Sequence, residues 1–147
     1  MAIPTPELGA HRLAGGRCGV TGDPEVLEMA AALGAEPFAV PDEERVRYHA
    51  AAVVASNHVV ALLGHLERLA TSAGLRLEAF LPLVREAVDA VEDLGPAASL
   101  TGPVARGDAS TIAAHLDALP AFEVPAYRAL AREALRLTDH ADGLVPA

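Results

Sequence analysis

The stretch from Tyr48 to Gly64 constrains the fold of this chain more than any other. It reads YHAAAVVASNHVVALLG, and almost every residue in it is small or apolar. It lies inside a longer segment, from about Asp42 to about Ser72, that has the composition of a single helix. A helix that is apolar on every side must be covered on every side. The sequence therefore predicts a mainly helical fold, a bundle built on one long central helix.

Four polar side chains interrupt this apolar helix: His49, Ser56, Asn57 and His58. His49 and Ser56 are seven residues apart and share a helical face, and Asn57 lies about 80° round from His49. A buried Asn or His needs hydrogen-bond partners. Two explanations stay open. These groups either tie the helix to a neighbour or to a twofold mate, or they line a pocket on an exposed face of the helix.

Composition favours one domain of closely packed helices. The chain has 147 residues, of which 52% are hydrophobic and only 3% aromatic, and its net charge is −9. Such a charge argues against a nucleic-acid or anionic-membrane surface. No signal peptide opens the chain, and its longest nearly apolar run falls short of the roughly 20 residues that span a bilayer. With a single Cys18, we expect a cytoplasmic protein that binds neither nucleic acid nor membrane.

The first part of the chain predicts a small parallel β-α-β unit. Arg17–Thr21 and Pro37–Val40 have the composition of short strands. Between them Asp23 can cap a helix, Pro24 suits its first position and Gly34 can end it.

This unit indicates how the chain is divided. Two short strands do not form a stable sheet alone, so they resemble the end of a larger α/β domain. Residues 1–40 are therefore interpreted as an arm followed by the remnant of a nucleotide-binding domain. Residues 41–147 are interpreted as an all-helical domain.

Three more helices are expected after the long one. The first spans about Leu77 to Leu94, with Pro82 tolerated in its first turn. Its apolar stripe consists of Leu83, Val84, Ala87, Val88 and Val91. After a loop at residues 97–107, Asp108 or Ser110 caps the next helix. The last spans about Pro125 to Thr138, and the residues beyond it are expected to fray.

The loop before Asp108 has features that suit a ligand. Its two glycines allow close approach of the backbone, and Arg106 offers a forked donor for a carboxylate or phosphate. The loop also leads into a helix N-terminus, which favours anions. The alternative is a plain helix connection in which Arg106 pairs with Asp108 or another acid.

No cofactor or metal site is recognisable in the sequence. The glycine-rich dinucleotide fingerprint is absent, because Gly15-Gly16 precedes a strand instead of following one. His58 and His65 are separated by about 10 Å along the helix, too far to hold one metal ion together. We expect these histidines on a partly solvated or interface stripe.

Two motifs in the correct order resemble a known family. The first is Tyr48–Asn57 (YHAAAVVASN), and the second is Gly95-Pro96 followed by Leu100–Asp108 (LTGPVARGD). Together they resemble the C-terminal helical domain, of unknown function, of a bacterial family of Rossmann-like NAD(P)-dependent oxidoreductase homologues. That family is distantly related to ketopantoate reductase and pyrroline-carboxylate reductase. The resemblance extends from about Gly15 to Thr138.

The resemblance implies a nucleotide-binding domain followed by a helical domain that dimerises, with the substrate between the two. NAD(P) is expected for full-length members and no cofactor for this chain, in which the glycine-rich half has no counterpart. Residue by residue, it makes His49 a candidate proton donor and Asn57 a residue that orients the substrate. Ser56, Thr101 and Arg106 become candidate substrate-binding residues, with Arg106 holding an anionic group. The lysine of ketopantoate reductase has no match, because the chain contains no lysine.

Three hypotheses follow. The first is a dimerisation and substrate-side domain of an oxidoreductase, inactive alone, whose partners are a second copy, a missing or separate Rossmann domain and a small anionic substrate. The second is a non-enzymatic helical oligomerisation module that uses the same apolar helix. The third is a metal-binding helical bundle.

Overall fold

The computed structural model describes residues 13–140 and 142–146, so the predicted N-terminal arm falls largely outside the described residues. Within these ranges the chain is mainly helical, and two short parallel strands come first. The predicted fold class is confirmed. The structure divides into two compact units, residues 1–62 and 63–147, and the long helix passes from the first into the second. The domain boundary expected after residue 40 stays a prediction.

The β-α-β unit lies in the first compact unit. Strand β1 (Arg17–Val20) pairs in parallel with β2 (Glu36–Ala39), and helix α1 (Pro24–Ala32) connects them. Asp23 caps α1 by accepting a backbone hydrogen bond of 3.1 Å from its first turn. Gly34 follows the helix with a φ of +83°, a value that suits glycine. The local signals in the sequence therefore gave the correct elements, although β2 begins one residue earlier than predicted.

The long helix predicted from Asp42 to Ser72 is confirmed, but it is not uniform. A 3-10 turn (Asp42–Glu44) leads into α2 (Arg45–Val53), and α3 (Val59–Ser72) follows later. Between α2 and α3 the chain forms a π-helical segment, Val54–His58. Such segments are rare and occur frequently at functional sites.

Five helices follow in the second unit, after a 3-10 turn at Leu77–Ala79. They are α4 (Leu81–Leu94), α5 (Pro96–Ser99), α6 (Gly102–Ala105), α7 (Ala109–Ala118) and α8 (Val124–Leu135). The prediction of a plain loop at residues 97–107 was therefore wrong. Gly95 and Gly102 turn the chain with φ values of +79° and +84°, and each is followed by a proline that suits a first helical turn.

The second unit has its own hydrophobic core. Ile112 of α7 is completely buried, and it packs with buried side chains from α6, α8 and the C-terminal residues: Val104, Ala131, Leu135 and Val145. The expectation of a frayed C-terminus was wrong for residues 142–146. A short 3-10 turn at Asp142–Leu144 precedes Val145, whose side chain is only 4% exposed.

Several large apolar side chains remain uncovered by the described residues, and two groups of them are considered as surfaces. On α4, three residues of the predicted stripe, Leu83, Val88 and Val91, are 64%, 61% and 43% exposed, and Leu94, which was not in the predicted stripe, is 64% exposed. These four residues are called the α4 stripe. The second surface, here called the exposed helix segment, comprises Val46, Val54, Val59, Val60 and Leu62 of the long helix. The described residues therefore leave this part of the central helix uncovered, and its expected cover by a second copy stays a prediction.

The long helix also meets a simple criterion for a membrane span. Its 31 residues include an 18-residue window with a mean hydropathy of 1.3. Length and composition alone would let it cross a bilayer. Buried core helices of soluble proteins meet the same criterion, but only 6% of this window is buried within the described residues. His49, Asn57 and His58 lie within it, and polar side chains of this kind are costly inside a membrane.

Candidate functional site

A groove of about 890 Å³ lies in the first unit, between the small sheet and the long helix. Arg17 of β1 and Phe38 of β2 form one side, and residues of the stretch 48–57 form the other. Its volume is in the range of small-molecule sites, about 300–1,000 Å³. The groove brings together three of the five predicted site residues: His49, Ser56 and Asn57.

The strand register explains the sheet side of the groove. In the parallel pair, Gly19 lies opposite Phe38, and Arg17 is on the same face as Gly19 because strand residues alternate. Gly19 leaves room for Tyr48 of the long helix. A Cβ atom at Gly19 would come within 2.6 Å of both Cζ and Oη of the tyrosine ring. The absence of a side chain at this position therefore lets the ring lie directly against β1.

Arg17, Phe38 and Tyr48 form a cation–aromatic row along this wall. The guanidinium carbon of Arg17 lies 5.6 Å from the centre of the Phe38 ring, within range of a cation–π contact. The Phe38 and Tyr48 rings meet edge to face, with their centres 5.8 Å apart. The row gives the groove an apolar wall that ends in a positive charge.

The helix side carries small and polar side chains. Ser56 lies in the π-helical segment, and its hydroxyl lies 2.7 Å from the Ala52 carbonyl oxygen and 3.0 Å from Oδ1 of Asn57. Both of these oxygens accept hydrogen bonds, so the single hydroxyl hydrogen of Ser56 is donated to one of them or shared between them. No hydrogen bond within the described residues uses the NH₂ group of Asn57, so this group can donate to a ligand.

His49 lies on the same side, one residue after Tyr48, and is exposed to solvent. An exposed imidazole on a groove wall can donate or accept a proton without a large structural change. Its position is compatible with the predicted role of a proton donor.

Thr101 and Arg106, the other two predicted site residues, belong to the second unit. Thr101 precedes α6, Arg106 follows it, and both are exposed. The groove around His49 takes all its described lining from the first unit. Whether all five residues share a site stays a prediction.

Asp108, next to this pair, is the N-cap of α7, as predicted. It accepts hydrogen bonds of 3.0 Å from the Thr111 backbone, 2.7 Å from the Thr111 hydroxyl and 2.8 Å from Ser110. These bonds, with a smaller contribution from Arg106, lower the pKa of Asp108 to about 2. Ser110, the alternative cap, therefore supports the cap instead of providing it.

A buried ionic cluster in the second unit was missed. Glu123 lies just before α8 and is 2% exposed, and its carboxylate lies 2.6 Å from Nδ1 of buried His65. Arg68, one turn further along α3, donates to both carboxylate oxygens of Glu123. The pKa of Glu123 is lowered, chiefly by the hydrogen bond from Arg68 and also by His65. The expectation of a partly solvated or interface histidine was wrong for His65.

The cluster connects α3 to the start of α8, so we interpret it as stabilising the packing of these two helices. His65 and Glu123 are 58 residues apart, so no local pattern could have paired them. Among the residues that the structure describes, no group of three His, Cys, Asp or Glu side chains could hold a metal ion.

The fold and the groove together define a class of protein. It is a mainly helical chain that begins with a short parallel β-α-β unit and has a groove between that small sheet and the long helix. The family model for a domain of unknown function, DUF2520, matches residues 17–134. The chain belongs to this family.

Two solved structures are similar to this chain. The "putative NADP oxidoreductase BF3122" of Bacteroides fragilis is 28% identical, with a TM-score of 0.66 over 76% of this chain and 44% of its own. Protein TM1727 of Thermotoga maritima is also 28% identical, with a TM-score of 0.68 over 91% of this chain and 59% of its own. The chain therefore spans about half the length of these relatives. No curated protein matches it. These findings confirm the resemblance to an oxidoreductase-associated helical domain of unknown function.

Proposed function

We propose that this chain is the dimer-forming, substrate-side domain of an NADP oxidoreductase-like protein. A nucleotide-binding domain, in the same protein or a separate one, would supply the cofactor. The observation that carries this proposal is the exposure of the α4 stripe and the exposed helix segment. The similarity to an NADP oxidoreductase-like structure gives the chemical class.

Burial of the α4 stripe can support association by itself. Added together, the exposed fractions of its four residues equal more than two fully exposed side chains per copy. At roughly 1.5–3 kcal/mol for each fully buried side chain, two copies would gain about 7–14 kcal/mol. Association costs on the order of 4–15 kcal/mol. The exposed helix segment adds a further apolar surface of similar extent.

A second copy is the occupant that best fits these surfaces. Twofold dimers are the commonest assemblies, and they place the same patch of both copies face to face. An apolar patch on one copy therefore packs against the same apolar patch on the other. The net charge of −9 disfavours nucleic acid and anionic membrane surfaces. Together with the polar groups in the long helix, this favours a soluble, cytoplasmic homodimer.

Within the described residues, the turn between β1 and α1 does not suit NADP. A dinucleotide phosphate binds at a glycine-rich turn between a strand and a helix N-terminus. Here the turn between β1 and α1 places the carboxylate of Asp23 on that N-terminus, where it would repel a phosphate. The two-stranded sheet is also too small to be stable alone. Both observations favour a cofactor site on another domain that extends the sheet.

In the assembled protein, the groove residues have distinct roles. His49 is the proton donor, because it is the titratable imidazole on the groove wall. Asn57 orients the substrate through its NH₂ group, while the Ser56 hydroxyl contacts Oδ1 of Asn57 and holds the side chain in place. Thr101 and Arg106 are further candidate substrate-binding residues, with Arg106 binding an anionic group. The cofactor supplies hydride chemistry, and this chain alone has no dehydrogenase activity.

Calorimetry tests where the cofactor binds. NADPH titrated into this chain should give no binding at about 1 μM affinity, equivalent to roughly −8 kcal/mol. Protein BF3122, titrated in parallel, provides the full-length comparison. Micromolar binding to this chain would contradict the assignment of the cofactor to another domain.

Stability at different concentrations tests the dimer. If folding is coupled to association, the melting temperature rises with protein concentration. Val88→Arg, on the α4 stripe, should remove that dependence. Met29→Arg is the matched control, because Met29 of α1 is 64% exposed but lies outside both apolar surfaces. A melting temperature independent of concentration in the unaltered chain would contradict the proposal.

A further inference from the structure

We infer that the groove of the first unit binds a monocarboxylate with an aromatic or branched apolar body, and that Arg17 anchors its carboxylate. This inference rests on the proposed function, since it names the substrate class of the same site. Arg17 was not among the residues that the sequence singled out.

The charge of the groove is the first observation. The chain has 20 acidic residues and a net charge of −9. Yet among the described residues that line the groove there is no Asp or Glu, while Arg17 is present. A local excess of positive charge in an acidic protein attracts anions to that position.

The position of Arg17 is the second observation. Within the described part of the chain it makes no ion pair, whereas Arg47, Arg68, Arg76 and Arg136 each pair with a glutamate. Phe38 instead holds its guanidinium through a face contact, which leaves the planar fork free to bind a carboxylate with two hydrogen bonds.

The lining next to Arg17 defines the rest of the ligand. Phe38 and Tyr48 present an aromatic wall, and Ala51, Ala52 and Ala55 form a floor of small side chains. The aromatic rings can contact the apolar part of a ligand, and the small alanine side chains leave space for it. On the helix side, the NH₂ group of Asn57 offers a hydrogen-bond donor that suits a carbonyl or hydroxyl oxygen of the ligand.

One guanidinium group is better suited to a ligand with a single negative charge than to a dinucleotide with several. NADP carries several phosphate charges, and recognition of that many charges requires several donors or a helix N-terminus. Arg17 is the only arginine among the described residues of the groove lining. The geometry therefore favours a carboxylate substrate over the cofactor.

Nuclear magnetic resonance titration of the full chain tests this inference. Benzoate is the probe, benzamide its uncharged equivalent, and NADPH the competing anion. Benzoate should shift the resonances of Tyr48 and of the groove alanines with a dissociation constant of about 1 mM, the range expected for so small a ligand. Benzamide should bind at least about 10-fold more weakly, because it lacks the charge-assisted bonds.

Variants identify the anchor. Arg17→Gln should weaken benzoate binding by about 10-fold, and Arg17→Lys should restore part of the affinity because it keeps the charge but loses the fork. Arg45→Gln is the matched control, an exposed arginine of α2 outside the groove lining, and it should change the affinity less than about 2-fold. The amide spectrum of each variant verifies that it is folded.

Three results would overturn the inference. These are equal binding of benzoate and benzamide, unchanged benzoate binding by Arg17→Gln, or larger shifts at Tyr48 with NADPH than with benzoate. Sedimentation of the same samples separates this failure from failure of the proposed function. A dimer without carboxylate binding refutes only the ligand assignment, whereas a monomer refutes the dimer proposal.

Discussion

Gly19→Ala tests how tightly the long helix lies against β1. The new Cβ atom would lie 2.6 Å from Cζ and Oη of Tyr48, whereas ordinary contacts begin at 3.4 Å. The ring must therefore withdraw by at least about 0.8 Å, and its edge-to-face contact with Phe38 must change. Backbone strain plays no part, because the φ of Gly19 is not positive.

The magnitude follows from two opposing effects. Overpacking of this kind costs about 1–3 kcal/mol. Replacement of glycine by alanine at a compatible position stabilises by about 0.4–1 kcal/mol, because the unfolded chain loses freedom. The net loss is therefore about 0–2.6 kcal/mol, which corresponds to a fall of roughly 0–10 °C in melting temperature for a chain of this size. The lower part of this range is expected, because the clash involves the far end of a flexible side chain that is 37% exposed.

Thermal unfolding followed by circular dichroism measures this loss, and near-ultraviolet dichroism reports the displaced tyrosine. Gly143→Ala is the control. Its Cβ would meet nothing within 4 Å, so Gly143→Ala has the same unfolded-chain gain without overpacking, and its melting temperature should equal or slightly exceed that of the unaltered chain. The difference between the two variants therefore measures the overpacking cost at Gly19. If Gly19→Ala is as stable as Gly143→Ala, Tyr48 does not lie against β1 and the described groove wall is incorrect.

The other predictions concern the second unit. Glu123→Gln should lower the melting temperature near neutral pH, because His65 and Arg68 lose a buried charged partner, whereas Glu133→Gln, at an exposed pair with Arg136, should have little effect. The folded-state pKa of Glu123 is below its ordinary value of 4.5, so its contribution is present above that pH and is lost as the pH falls through the folded pKa. Melts at pH about 6 and about 3 should therefore show a smaller acid-induced loss in Glu123→Gln than in the unaltered chain, and an equal loss would contradict the role of the cluster. Truncation after His140 should cost at least about 1.5 kcal/mol by urea unfolding, because buried Val145 is lost from the core, and an unchanged midpoint would refute that packing.

The sequence predicted the elements of the fold because their signals are local. Asp23 and Pro24 start a helix, Gly34 ends it, and Gly95-Pro96 separates two helices, all through the conformational preferences of adjacent residues. The same preferences are present at Gly102-Pro103, but the stretch consists of mixed small residues, and its helices of four residues each are too short for an apolar period to predict them.

The site was only partly predictable, for reasons of register and distance. His49, Ser56 and Asn57 were found because they interrupt an apolar helix. Arg17 became visible only when the strand register placed it on the face shared with Phe38. The pairing of His65 with Glu123 depends on how α3 meets α8, and no sequence spacing encodes that. An apolar stripe such as that of α4 shows which face is apolar, but not what covers it.

Sedimentation equilibrium of the unaltered chain tests the central claim most directly. The account predicts the mass of a dimer, twice 15.1 kDa, at about 10 μM and above, where a complex with a dissociation constant of about 1 μM is mostly associated. Val88→Arg and Val60→Arg should shift that mass toward the monomer, while Met29→Arg should not. A monomer of 15.1 kDa throughout this range would contradict the account, because both apolar surfaces would then be stable in water without a second copy.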